Sequence, residues 1–84
     1  MHWDVIEVVP EGDLRLKVRF RDGTEGRVRF ERSHLNGVFT PLSDPKFFRQ
    51  VYVEDGALTW PGDVDLAPDA MYAAVRTTGE WILK

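Results

Sequence analysis

The chain has 84 residues, 43% of them hydrophobic, and sets 11 Lys and Arg against 14 Asp and Glu for a formal net charge of −3. That length supports one small domain, residues 1-84, and the acidic balance argues against a nucleic-acid coat protein or a polybasic membrane binder. With no cysteine there is no disulfide framework, thiolate metal site or thiol nucleophile.

Secreted domains of this size usually need covalent staples, so a reducing cytoplasm is the expected location. The start, Met1-His2-Trp3-Asp4, lacks the basic-then-apolar order of a signal peptide. No apolar run approaches the roughly 18 residues of a membrane span, and no membrane partner is expected.

In chain order, Val5-Ile6-Glu7-Val8-Val9 is β-branched and ends at Pro10, which predicts a strand followed by a turn at Glu11-Gly12-Asp13. From Leu14 to Phe20 the alternation is strict, Leu14, Leu16, Val18 and Phe20 against Arg15, Lys17 and Arg19. A second alternating run sets Gly26, Val28 and Phe30 against Glu25, Arg27 and Arg29. A two-residue Asp22-Gly23 loop would pair Val18 with Arg27 and mix apolar and charged faces. A three-residue loop, Arg21-Asp22-Gly23 with Gly23 left-handed, pairs Phe20 with Thr24, Val18 with Gly26, Leu16 with Val28 and Leu14 with Phe30, so this register is expected.

Glu31 to Asn36 suggests a helical turn stopped at Asn36-Gly37, and Val38-Phe39-Thr40-Pro41-Leu42 a short extended segment. Asp44 before Pro45 predicts a capped short helix to about Gln50, pinned to the sheet by Phe47 or Phe48. Val51 to Glu54, Asp55-Gly56 and Ala57 to Trp60 predict a second hairpin ended by Pro61-Gly62. Leu66 to Arg76 is the longest helix candidate, with Gly79 as its stop. Trp81, Ile82 and Leu83 are too apolar for a frayed terminus and are expected to pack on this core or on another chain. The expected class is α+β, a small antiparallel sheet built from hairpins with two short helices, the longer one C-terminal.

Several motifs together resemble a known family. They are Phe20-Arg21-Asp22-Gly23, Val38-Phe39-Thr40-Pro41-Leu42 leading to Asp44-Pro45 and Phe48, the Val51 to Val53 strand, and above all Trp60-Pro61-Gly62-Asp63-Val64-Asp65-Leu66-Ala67-Pro68-Asp69. The chain resembles the bacterial domain-of-unknown-function family 2442. The resemblance implies an α+β module of bacteria and phages, sometimes fused to a helix-turn-helix domain and sometimes encoded beside a small toxin-like partner. It therefore implies an antitoxin-like role for some members, but supplies no catalytic residue. Nothing after the Trp-Pro-Gly stretch is long enough to be a helix-turn-helix domain, so a role carried by that domain does not transfer.

Residues with chemical potential are few. Asp63, Asp65 and Asp69 beside Glu54 and Asp55 do not follow a calcium-loop spacing, and Asp65 and Asp69 are read as capping and first-turn charges of the last helix. His2 and His34 with Ser33 and Ser43 form no nucleophile elbow, and no glycine-rich phosphate loop occurs. Neither an enzyme nor a cofactor is expected. Trp60 is read as core, and Trp81 as the more open case.

The feature with functional promise is the basic face Arg15, Lys17, Arg19, Arg27 and Arg29. In the derived register Arg19 opposes Glu25, but Lys17 opposes Arg27 and Arg15 opposes Arg29, and like charges directly across a sheet destabilise it; solvent alone, an acidic protein surface or a nucleic-acid backbone would offset them. The expected function is a cytosolic protein-binding module that uses this face and Trp81. The alternatives are a homodimer through the apolar tail and a dimeric β-ribbon that enters DNA.

Overall fold

The alternation from Leu14 to Phe20 sets the frame of the molecule. In the computed structural model, which describes residues 1–84, β2 (Arg15–Phe20) and β3 (Glu25–Phe30) pair antiparallel, with Leu16 opposite Val28 and Val18 opposite Gly26. This is the register that keeps the apolar faces together. Gly23 has φ +92°, its N–H donates to the Phe20 carbonyl at 2.9 Å, and the Phe20 N–H donates to the Thr24 carbonyl at 2.8 Å. The left-handed residue expected in a three-residue loop is therefore the glycine, which alone adopts it without a Cβ penalty.

Leu14 departs from the regular strand. Its φ is +58°, although the Phe30 N–H still donates to its carbonyl at 2.9 Å. A left-handed non-glycine costs about 1–2 kcal/mol, and burial of the side chain to 7% exposure offsets it by about 1.5–3 kcal/mol.

On one side of this hairpin β1 (Val5–Pro10) runs antiparallel to β2, with the register slipping between Val5 and Glu7. That bulge explains a β-branched run without clean alternation: Val5 is buried, Ile6 is the extra residue, and Glu7 and Val9 face outward opposite Arg19 and Lys17. On the other side, β7 (Glu80–Leu83) joins β3 in parallel, giving the order β1-β2-β3-β7. The apolar tail thus packs on its own core. Trp81 and Leu83 lie opposite Val28 and Phe30, whereas Glu80 and Ile82 lie opposite Arg27 and Arg29.

The second hairpin also forms, from β4 (Tyr52–Glu54) and β5 (Ala57–Trp60). Asp55 and Gly56, with φ +51° and +79°, make the two-residue turn, whose two left-handed residues match strand twist. A third strand, β6 (Val64–Leu66), pairs antiparallel with β5. The α+β class therefore holds, with the strands divided between a mixed four-stranded sheet and an antiparallel three-stranded one.

β6 corrects the reading of Asp65 as a helix cap. Asp65 lies opposite Thr59 on the strand while Val64 and Leu66 turn inward. The helix that follows, α2 (Pro68–Thr78), has Ala67 at its N-cap and no side-chain cap bond. Pro68 and Asp69 occupy the first turn, as their types favour, and Gly79 closes the helix at φ +83° with its N–H 2.7 Å from the Val75 carbonyl.

The segment expected to be extended at Val38 to Leu42 is instead a 3₁₀ helix over Gly37–Ser43, preceded by a 3₁₀ turn at Arg32–His34. No strand pairs with it, and the three-residue period carries Phe39 and Leu42 to the same side, with Phe39 against Phe30 and Leu42 fully buried. The helix α1 (Pro45–Phe48) starts as expected, with Asp44 accepting from the Lys46 N–H at 3.0 Å. Phe48 pins it: the buried Trp60 Nε1–H donates to the Phe48 carbonyl at 2.8 Å. Sixteen buried apolar residues, from both sheets and both α-helices together with Leu14 and Leu42, form one cluster, so the two sheets share a core. No helix is long and apolar enough to cross a membrane.

Candidate functional site

Because side chains alternate along a strand, the register that buries Leu16, Val18, Val28 and Phe30 turns Arg15, Lys17, Arg19, Arg27 and Arg29 to the opposite face of the four-stranded sheet. All five retain solvent access there. Trp81 lies on the other side, opposite Val28, where it is half-buried against the core. The structure thus brings the five cations together and leaves Trp81 out of their company.

The predicted like-charge pairs are present, Arg15 opposite Arg29 and Lys17 opposite Arg27. What compensates them is largely the chain itself. Arg27 Nε donates to Glu11 Oε1 at 2.9 Å, Arg19 Nε lies 3.4 Å from Glu7 Oε1, and Lys17 Nζ lies 3.7 Å from Glu25 Oε1. Glu7 and Glu11 come from β1 and the turn after it, Glu80 from β7. Sequence reasoning missed them because only Glu25 shares the local hairpin. The bulge at Ile6 carried the signal for Glu7, since it shifts that side chain to the outer face, but nothing local announces that β7 pairs with β3.

Two cations are left short. Arg15 has no carboxylate within 4.0 Å. Arg29 Nε is buried without a hydrogen-bond partner and stands 4.0 Å from Glu80 Oε2, beyond hydrogen-bond reach. These two arginines, with Glu11, Arg27 and Glu80, line an open recess of about 290 Å³. Near it the same face exposes Val9, 47% accessible and opposite Lys17, and half-buries Ile82, opposite Arg29; Ile6, in the bulge at the far end of β1, is 42% accessible. The surface is therefore mixed: ion pairs, aliphatic patches and one incompletely neutralised pair of guanidinium groups.

A second concavity, about 390 Å³, lies between the Gly12-Asp13-Leu14 turn and Leu42, Ser43, Pro45, Phe48 and Arg49. Two of its polar side chains are committed: Asp13 accepts from Arg32 at 2.8 Å and Ser43 Oγ donates to the Thr40 carbonyl at 2.8 Å; Arg49, exposed at its rim, is the remaining charged group. Its apolar floor, Leu14, Leu42 and Phe48, belongs to the core.

The remaining candidates are dispersed. His34 Nδ1 lies 3.0 Å from the Lys84 carbonyl, between Phe30 and Phe39, while His2 stacks edge-on with Trp3 and Tyr72. Neither faces a free serine hydroxyl. The acidic residues from Glu54 to Asp69 do not converge, and no group of three His, Asp or Glu side chains is placed to hold a metal ion. At the loop end of the hairpin the Tyr72 hydroxyl donates to Asp22 Oδ2 at 2.5 Å. With the Thr24 N–H on Oδ1 at 2.9 Å, that bond holds the Asp22 carboxyl down at a pKa of about 2 and raises that of Tyr72.

A family model described as a protein of unknown function, DUF2442, matches residues 5–77. No curated relative and no solved structure matches the chain.

Proposed function

From a chain that belongs to the DUF2442 family of proteins of unknown function, we propose a non-enzymatic binding module whose outer sheet face contacts a protein partner. The observation that carries this is the composition of that face: exposed Val9 and half-buried Ile82 among Lys17, Arg19, Arg27 and Arg29, which Glu25, Glu7, Glu11 and Glu80 approach to within 4.0 Å, and Arg15, which no carboxylate approaches. Aliphatic patches among mostly paired charges suit a protein surface, where complementary charge sets orientation and partner choice. The residual positive charge at Arg15 and Arg29 favours an acidic partner. An antitoxin-like or adaptor half of a bacterial two-gene pair is one biological form of such a module, and the cytoplasm is its setting.

The alternative, a DNA-contacting β-ribbon, draws less support from the same face. A ribbon enters the major groove as two strands, whereas β2 and β3 are flanked on both sides by β1 and β7, and the interleaved glutamates repel a phosphate backbone. The experiment is a titration of the protein with a random-sequence duplex over rising salt. Protein binding as the true function predicts no measurable duplex binding at physiological salt. Tight duplex binding whose logarithm falls steeply and linearly with log salt, and which Arg15→Ser weakens, would overturn the proposal.

A further inference from the structure

The geometry points to a specific element of recognition: Arg15 and Arg29 form a clasp for one carboxylate, an aspartate or glutamate side chain of the partner, seated in the recess they share with Glu11, Arg27 and Glu80. The clasp rests on the protein-binding reading and adds to it the chemical group recognised.

Three observations converge. Arg15 and Arg29 are directly opposite one another on neighbouring strands, an arrangement that a sheet does not favour unless an anion sits between the charges. Arg15 has no carboxylate within 4.0 Å, and Arg29 Nε, although buried, donates to nothing. The recess between them is open. An unpaired N–H shielded from water is a costly group to leave, and an incoming acceptor satisfies it once the side chains covering that nitrogen move aside.

The internal carboxylates do not fill this role. Glu11 is engaged at 2.9 Å by Arg27. Glu80 lies on β7 opposite Arg27 rather than Arg29, and its nearer oxygen stays 4.0 Å from Arg29 Nε. Three guanidinium groups and two carboxylates line the recess, so a single added negative charge neutralises it. A phosphate, with more than one negative charge near neutral pH, would place its excess beside Glu11 and Glu80. The planar fork of a guanidinium also matches a carboxylate in geometry. Ile82, opposite Arg29, and Val9, opposite Lys17, offer aliphatic contacts for the residues beside that carboxylate.

The test is an NMR titration of the full chain at constant ionic strength, following the arginine Nε–Hε signals. The probes are a blocked Ala-Glu-Ala peptide, its Ala-Gln-Ala counterpart and inorganic phosphate. The clasp predicts a saturable shift of the Arg29 Nε–Hε signal with the glutamate peptide, none with the glutamine peptide, and weaker binding of phosphate. Arg15→Gln should weaken the glutamate peptide about fivefold, the scale of one exposed ion pair, whereas Arg49→Gln, outside the recess, should titrate as wild type. Glu80→Gln removes the internal competitor and should tighten binding. Equal shifts with both peptides, tighter binding of phosphate, or an Arg15→Gln titration identical to wild type would each overturn the clasp. Those results leave the broader reading standing if partner capture still depends on this face; loss of that dependence with an intact titration would sink the reading instead.

Discussion

Gly26 on β3 lies so close to Val75 on α2 that a Cβ at position 26 would stand 2.4 Å from Val75 Cγ1 and 2.8 Å from the Gly79 carbonyl oxygen. The sheet and the end of the helix approach there with nothing between them, and the Arg27 N–H donates to the Gly79 carbonyl at 3.1 Å. The chain then turns directly into β7. The position therefore needs glycine for space rather than for a special backbone angle.

Gly26→Ala tests this approach. Val75 could move only by leaving the core, where it is 3% exposed, and the Gly79 carbonyl is held by its hydrogen bond. A loss of about 1–3 kcal/mol is expected, the usual scale of overpacking, read as a lower urea midpoint with an unchanged slope. A wild-type midpoint would show that helix and sheet are less tightly apposed than the structure has them.

Removal of residues 80–84 tests the fate of the apolar tail. β7 supplies the parallel edge beside β3, and Leu83 is buried to 8% exposure. Losing one buried leucine costs about 2–5 kcal/mol, a large part of what a small domain has. The truncated chain is expected to unfold or to melt far below wild type by circular dichroism. A native spectrum and midpoint accompanied by a change from dimer to monomer would assign the tail to self-association instead.

The Asp22–Tyr72 hydrogen bond gives a stability difference with a defined pH window. A carboxyl held near 2 in the folded chain, below its ordinary 3.8, contributes stability that is complete above the ordinary value and lost as pH falls toward 2. Tyr72, raised above its ordinary 10.0 by the same bond, contributes below that value and loses its share as pH rises through the raised one. The stability gap between wild type and Tyr72→Phe should therefore be flat from roughly pH 5 to pH 9 and shrink toward either extreme. A gap that grows between pH 4 and pH 2 contradicts the assignment.

The parts of the fold that were legible in the sequence are those decided by near neighbours. Alternation from Leu14 to Phe30, together with one glycine able to take φ +92°, leaves a single register that segregates apolar from charged side chains. Asp55-Gly56 marks its hairpin for the same reason, and Asp44-Pro45 marks a helix start. What was not legible depends on distant partners. Val64-Asp65-Leu66 is too short for its alternation to stand out, and it becomes a strand because β5 is there to pair with it. Glu80 to Leu83 becomes a parallel strand because the close approach at Gly26 delivers the chain to the edge of β3. The five cations of the candidate face were legible as a group. Their neutralisation by Glu7, Glu11 and Glu80 was not, since it needed both flanking strands.

The most direct measurement is affinity capture from nuclease-treated native lysate with wild type and with Arg15→Ser/Arg29→Ser as baits. This pair leaves the Lys17, Arg19 and Arg27 ion pairs in place and removes opposed like charges, so the two baits should have the same unfolding free energy to within about a few tenths of a kcal/mol. The account predicts that wild type retains a protein species which the double variant, equally folded, does not. Recovery of the same set of proteins by both baits would contradict it and leave the basic face an ordinary solvated sheet surface.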